Sequence, residues 1–352
     1  MRLLYAAAAA FGVLVTIATP ATAATARQPT FVSETAYLNV RPPHPHHAIH
    51  VNSAAALTRA TAHARAGQTI IVNGRVVIPG EFLGFNRVVP GGVVKVVFQR
   101  GVRFTGGAGS RLPSVYISGA GGWRIWGGAI TNPSGSGILV HATPGPVTWT
   151  GFTVSNTAET CVSVFPASGN VTGVTLKGRT GTASPNLAFD PHAEKGTGIH
   201  AWNIGDATDG VVENSTFAAD VVNQATGGAV QIDTSHIGAN VRVYARARHI
   251  GFPVPGTGWD GRARQQTAGN VVQLWGASPP GNLQIKYEEG GDIQGRMLET
   301  SGIQEGADLS HVTVDYARIT GPILLNKLMW SRAVYAVTGG LHLGTTSRRR
   351  KP

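Results

Sequence analysis

Residues 229–234 read AVQIDT, and a stretch of the same cast returns at 271–276 as VVQLWG. Apolar side chains take the first and third strand positions, with amide, acid or indole between them. Successive side chains on a strand point to opposite faces, so Val230/Ile232 and Val272/Leu274 face inward and their neighbours outward. Working outward from this pair, GILVHA (137–142), CVSVFP (161–166), GIHAWN (198–203), RMLETS (296–301) and PILLNK (322–327) fall into line. Their first apolar residues are Ile138, Val162, Ile199, Val230, Val272, Met297 and Ile323, spaced 24, 37, 31, 42, 25 and 26 residues apart. A second series, Val171, Val211, Val241, Leu283 and Leu309, is spaced 40, 30, 42 and 26. The two series lengthen and shorten together, and no unit holds an interior helix. That pattern predicts an all-β solenoid in which each turn of chain stacks on the last.

The entry to the repeat differs. Ser53 is a good helix N-cap, Leu57, Ala60 and Ala64 share one helical face, and Gly67 suits the C′ position. Thr69–Val72 then reads as a strand, followed by the Asn73-Gly74 turn. A short helix feeding coils of about 25 residues resembles the pectate-lyase-like right-handed parallel β-helix superfamily, over about residues 51–343. The resemblance implies a single-stranded right-handed parallel β-helix with a short N-terminal capping helix. Relatives of that kind are mostly exported and cleave or bind polysaccharides. The Asn-Thr-Asp, Asp-Asp, Gly-His-Gly and Arg-Ile-Lys signatures of polygalacturonases are absent, as is the Trp-Ile-Asp-His motif of pectate lyases. No catalytic residue is therefore carried over.

The flanks read separately. Residues 1–23 have the charged, apolar and small-residue order of a secretory signal peptide, ending Ala21-Thr22-Ala23. A secreted, extracellular protein is expected. Residues 24–50 form a Pro/His-rich linker, 51–343 the β-helix domain and 344–352 a basic tail. No other stretch approaches the roughly 18 apolar residues of a membrane span. The single cysteine, Cys161, excludes an intrachain disulfide and a thiolate metal cluster, and its TCVSVF setting suits a small buried hydrophobe. Net charge is +11, from 29 Lys and Arg against 18 Asp and Glu. In an exported protein this favours acidic polysaccharides as partners. No nucleic-acid-binding signature is present, and a monomer is expected.

Seven of the 18 carboxylates fall between residues 190 and 233: Asp190, Glu194, Asp206, Asp209, Glu213, Asp220 and Asp233. Most of Asp206, Asp209 and Glu213 read as turn residues. The outward columns of three successive coils hold His200, Gln231 and Gln273, and beside them Trp202, Asp233 and Trp275. With coils about 4.8 Å apart, these six form one patch with Asp233 between two indoles. Aromatic platforms, amides and a carboxylate are what a sugar-cleaving groove needs. Longer connections at 178–197 and 252–268 supply expected walls, the first with Asp190, His192, Glu194 and Lys195, the second with Trp259, Asp260, Arg262 and Arg264.

Three functions fit this groove. A glycoside hydrolase would pair Asp233 with Glu194 or Asp190, with His200 beside them as a further catalytic candidate. A one-residue slip of RMLETS would instead bring Glu299 into the Asp233 column. A polysaccharide lyase would use Arg246, Arg262 or Arg264 to neutralise a uronate, and Lys195, His192 or His200 to take its proton. The third is a non-catalytic wall-binding module or adhesin. In each, Trp202, Gln231, Gln273, Trp275, His192, Lys195, Trp259, Arg262 and Arg264 would hold the polymer. No metal site and no cofactor is expected; Ca²⁺ enters only for a lyase, and no contiguous Ca-loop motif exists.

Overall fold

The computed structural model describes residues 47–183, 200–207, 209–224, 228–250, 269–289, 295–316, 335–337 and 340–342. Their strands lie in two large sheets and one small one. The main path of the long sheet runs through Ile49–Val51, Thr69–Val72, Val94–Phe98, Trp123–Trp126, Val147–Thr157, Val174–Ala183, Thr216–Gln224, Val241–Ile250, Leu283–Glu289 and Val312–Tyr316, each parallel to the next. The seven-stranded sheet holds Val115–Ile117, Ile138–Val140, Val162–Val164, Trp202–Ile204, Gly228–Asp233, Gly269–Gly276 and Gly295–Ile303, also all parallel.

From Ile138 onward the chain alternates between these sheets, returning to each one strand further along. The Val171–Thr172 and Val212–Glu213 pair, extended by bridges Thr143↔Val171 and Val212↔Ile237, adds a third line of contact. Parallel neighbours cannot be joined by tight hairpins, so each return must cross other elements. The protein is all-β with large parallel sheets, an arrangement compatible with a parallel β-helix.

The core is made of apolar columns. One runs through Ile125, Trp149, Leu176, Phe217, Val243, Ile285 and Val314 on the long sheet, all fully buried. Another runs through Ile138, Val162, Trp202, Val230, Val272 and Leu298 on the seven-stranded sheet. Between them Phe85, Phe98, Phe104, Trp149, Phe152 and Trp202 meet with ring centroids 5.2–6.5 Å apart, mostly edge to face. The indole nitrogens of the three fully buried tryptophans are satisfied: Trp123 donates to Arg87 O, Trp149 to Gly127 O and Trp202 to Thr180 Oγ1. A buried Trp without such an acceptor would lose much of what its rings gain.

The expected helix is Ala54–His63, capped by Ser53, whose side chain accepts from Ala56 N. Leu57 and Thr61 are its buried residues. It ends at Ala64, which is extended, so Gly67 (φ +84°) serves the following turn instead of the helix C-cap. The strand Ile49–Val51, just before the helix, begins inside the expected linker.

In the second series, Val171 pairs with Val212 and not Val211, and Leu283 with Val312 and not Leu309. Two alignments of the first series also need correction. GIHAWN was expected to enter its sheet at Ile199, but the register partner of Val162 is Trp202, three residues later. RMLETS was aligned on Met297, but Leu298 pairs with Val272. The PILLNK strand, most of the linker, the signal segment and the tail lie outside the described residues.

Candidate functional site

On the seven-stranded sheet, two of the three expected coils pair as the alternation requires. Gln231 pairs with Gln273 and Asp233 with Trp275. In the third coil the three-residue offset reverses inside and outside. Asn203 pairs with Gln231, and Gly205, which follows Ile204, leaves the Asp233 row without a side chain in this coil. Trp202 is therefore no sugar platform. It is fully buried, 6.0 Å from Phe152 between ring centroids. His200 is also buried, at the start of its coil, and not in the outward column. Glu299 pairs with Gln273, not with the Asp233 row.

Asp233 lies at the C-terminal end of Gly228–Asp233 and caps the 3₁₀ turn Thr234–His236, its Oδ1 accepting from Ser235 N at 2.9 Å. It is 4 % exposed. Gly276 on the next strand is held at φ +94°, and a methyl group there would run into Asp233 Oδ1 and Ser235 Oγ. The turn brings His236 alongside. Its Nδ1 lies 2.9 Å from Gly210 O, and a carbonyl can only accept, so that nitrogen carries the proton. Its Nε2 then faces Asp233 Oδ2 at 4.0 Å. Asp206 completes the group, accepting from Asn203 Nδ2 at 2.9 Å. Burial holds the Asp206 carboxyl above the ordinary carboxylate range. The Asn203 bond opposes this, the charge of Asp233 adds to it, and His236 lowers it. By sequence Asp206 reads as a turn residue, and no spacing singles out His236.

The long connections do not anchor beside Asp233. They follow Val174–Ala183 and Val241–Ile250 and precede the strands beginning at Trp202 and Gly269. Both thus leave from the C-terminal ends of long-sheet strands. Asp233 stands at the far end of its own strand, five residues from Gly228, or about 17 Å. Asp190, His192, Glu194, Lys195, Trp259, Arg262 and Arg264 lie outside the described residues.

The outward face of the long sheet carries a second constellation, and it is cationic. One row runs Thr150, Lys177, Ala218, Tyr244, Lys286, and the next runs Thr153, Arg179, Asp220, Arg246, Glu288. Tyr244 is half-buried, with Arg242 and Arg246 two residues to either side on its own strand. Lys286 Nζ lies 6.0 Å from its ring centroid. On the opposite side the row holds only the methyl of Ala218, so Lys177 and Tyr244 stand two strand spacings, about 9.6 Å, apart. Asp220 is buried, with Arg179 Nε at 2.8 Å and Arg248 Nη2 at 3.3 Å. The Nε atoms of Arg246 and Arg248 are shielded from solvent without a hydrogen-bond partner among the described residues.

Cys161 is fully buried, and burial pushes its thiol up to about 11. No group of three His, Cys, Asp or Glu side chains suited to a metal ion occurs among the described residues. No helix there is long and apolar enough to cross a membrane.

No family model matches the chain, and no curated protein matches it in sequence. Among solved structures it is similar to an alginate lyase from Paenibacillus sp. str. FPU-7, at 13% identity and a TM-score of 0.35. The match covers 73% of this chain and 99% of that one. A likeness this loose aligns no side chains.

Proposed function

We propose that this chain is an exported enzyme of the right-handed parallel β-helix kind that cleaves an acidic polysaccharide by β-elimination on the outer face of its long sheet. The observation that carries the reading is the setting of Tyr244, with Arg242, Arg246 and Lys286 on three sides and the small Ala218 on the fourth. Elimination from a uronate needs a cation against the carboxylate and groups that move the proton from C5 to base and from acid to the leaving oxygen. The C4–O bond breaks, a C4=C5 double bond forms, and one proton is lost and one gained. Arginine suits the first task because its planar fork matches a carboxylate. Tyrosine and lysine both serve in proton transfer. The +11 net charge would draw an anionic polymer to the surface. Export rests on the signal-like order of residues 1–23 and predicts a mature protein whose N-terminus begins near residue 24.

The test is a product assay with the full chain on polyuronates and on neutral glucans. Elimination produces ultraviolet-absorbing unsaturated ends together with new reducing ends. Reducing ends without that absorbance would exclude it.

Hydrolysis is the second reading, favoured by Asp206. A carboxyl raised by burial, with the carboxylate of Asp233 adding to the shift, is the kind of unequal pair of carboxyls that glycosidases use. The near-complete burial of Asp233 and its use as a turn cap favour the long face instead.

A further inference from the structure

Asp220 is 2 % exposed although it sits on the outward side of the long sheet. Among the described residues, two arginines bind its carboxylate. Arg179, its register partner on one side, gives Nε to Oδ2 at 2.8 Å. Arg248 reaches back from two residues beyond the partner on the other side, placing Nη2 3.3 Å from both oxygens. Arg179 engages Asp220 through Nε, which leaves its two terminal nitrogens unbonded to that carboxylate on a side chain that is 58% exposed. Arg248 is 30% exposed. Two long, rotamer-rich side chains from strands on either side of Thr216–Gln224 are thus tied to one buried anchor, with Arg246 beside it.

We propose that Asp220 is a positioning residue that locks Arg179 and Arg248 into a clamp for one carboxylate of an acidic sugar. This rests on the long face being the polymer site and specifies its ligand as a free uronate and not its ester. A guanidinium fixed in advance loses less entropy on binding than one that must be ordered. The alternative role for Asp220 is plain charge compensation, and the two predict opposite signs. By charge alone, Asp220→Asn makes the face more positive and tightens binding of a polyanion. If Asp220 holds the clamp, the same change weakens it.

The experiment compares full-length wild type, D220N and D220E by titration with a polyuronate and its methyl ester, with thermal unfolding in parallel. Wild type should prefer the free acid. D220N should bind it roughly tenfold more weakly, the scale of one charge-assisted contact, and D220E should recover part of the loss. Binding of the ester should not change. Equal or tighter polyuronate binding by D220N overturns the clamp while leaving the polymer site standing. A wild type that binds neither polymer overturns the polymer site itself. Should D220N unfold, Arg179→Lys keeps the charge but removes the fork, and it must show the same weakening for the clamp to survive.

Discussion

Trp202 Nε1 donates to Thr180 Oγ1 at 3.0 Å with both residues fully buried, tying the seven-stranded sheet to the long sheet through the core. Trp202→Ala should cost about 3–5 kcal/mol of stability, the range for emptying a large aromatic site. Thr180→Val should cost about 1–3 kcal/mol by leaving the indole N–H unmatched. Trp275→Ala should shift the unfolding midpoint less, since that ring is only partly buried. Urea unfolding of the three variants ranks them, and a Trp202→Ala chain as stable as wild type would contradict the core placement.

Tyr244→Phe removes one hydroxyl from the cationic face. Loss of a proton-transfer group typically costs about 10²–10⁴ in rate. The variant should keep its affinity for polyuronate and lose elimination by that factor. Retained turnover would take Tyr244 out of the chemistry.

Asp206 should make stability depend on pH in an unusual direction. Its folded carboxyl is raised, chiefly by burial, so between the ordinary carboxylate range and the raised value the folded state holds more protons than the unfolded one. Stability from this group is present at acid pH and falls as pH rises through that window. Asp206→Asn should abolish this loss, so it should gain on wild type from acid to neutral pH in urea midpoints. An unchanged gap between the two would show that the group is not raised.

Cys161 should be inert in the native state. A thiol buried completely and held near 11 offers almost no thiolate at neutral pH. An aromatic disulfide reagent should label it only in denaturant. Rapid native labelling would mean that the coil around residues 157–162 opens.

The strand spacing was legible wherever consecutive coils keep one alternation. The Gln231–Gln273 and Asp233–Trp275 pairs were readable because AVQIDT and VVQLWG offer one in-phase alignment. GIHAWN offers two, because Ile199 and Trp202 are both apolar and three residues apart. A shift by an odd number exchanges the two faces of a strand, so entry at Trp202 in place of Ile199 moves His200 and Trp202 together. The one-residue ambiguity between Met297 and Leu298 misplaced Glu299 in the same way. The cationic face was hidden for another reason. Its residues lie on strands whose inward side alone set the repeat. Lining up VTLKGR (174–179), TFAAD (216–220), VRVYARAR (241–248) and LQIKYEE (283–289) on the same coil lengths brings Arg179, Asp220, Arg246 and Glu288 into one row. The carboxylate clip and the His236 contact depend on side-chain direction, which no spacing encodes.

Among the described residues the last parallel strand, Val312–Tyr316, is paired antiparallel with Gly340–His342, which in turn pairs antiparallel with Tyr335–Val337. At the other end the helix Ala54–His63 packs against the first strands. A stack of parallel strands left open would present each molecule's final rung as the template for the next molecule's first, and growth by addition would have no natural stop. The reversed strand changes the hydrogen-bond pattern at that rung, so an incoming parallel strand meets the wrong spacing of donors and acceptors. Among the described residues, the long sheet therefore ends at this edge in a reversed pair of short strands and not in a free parallel rung.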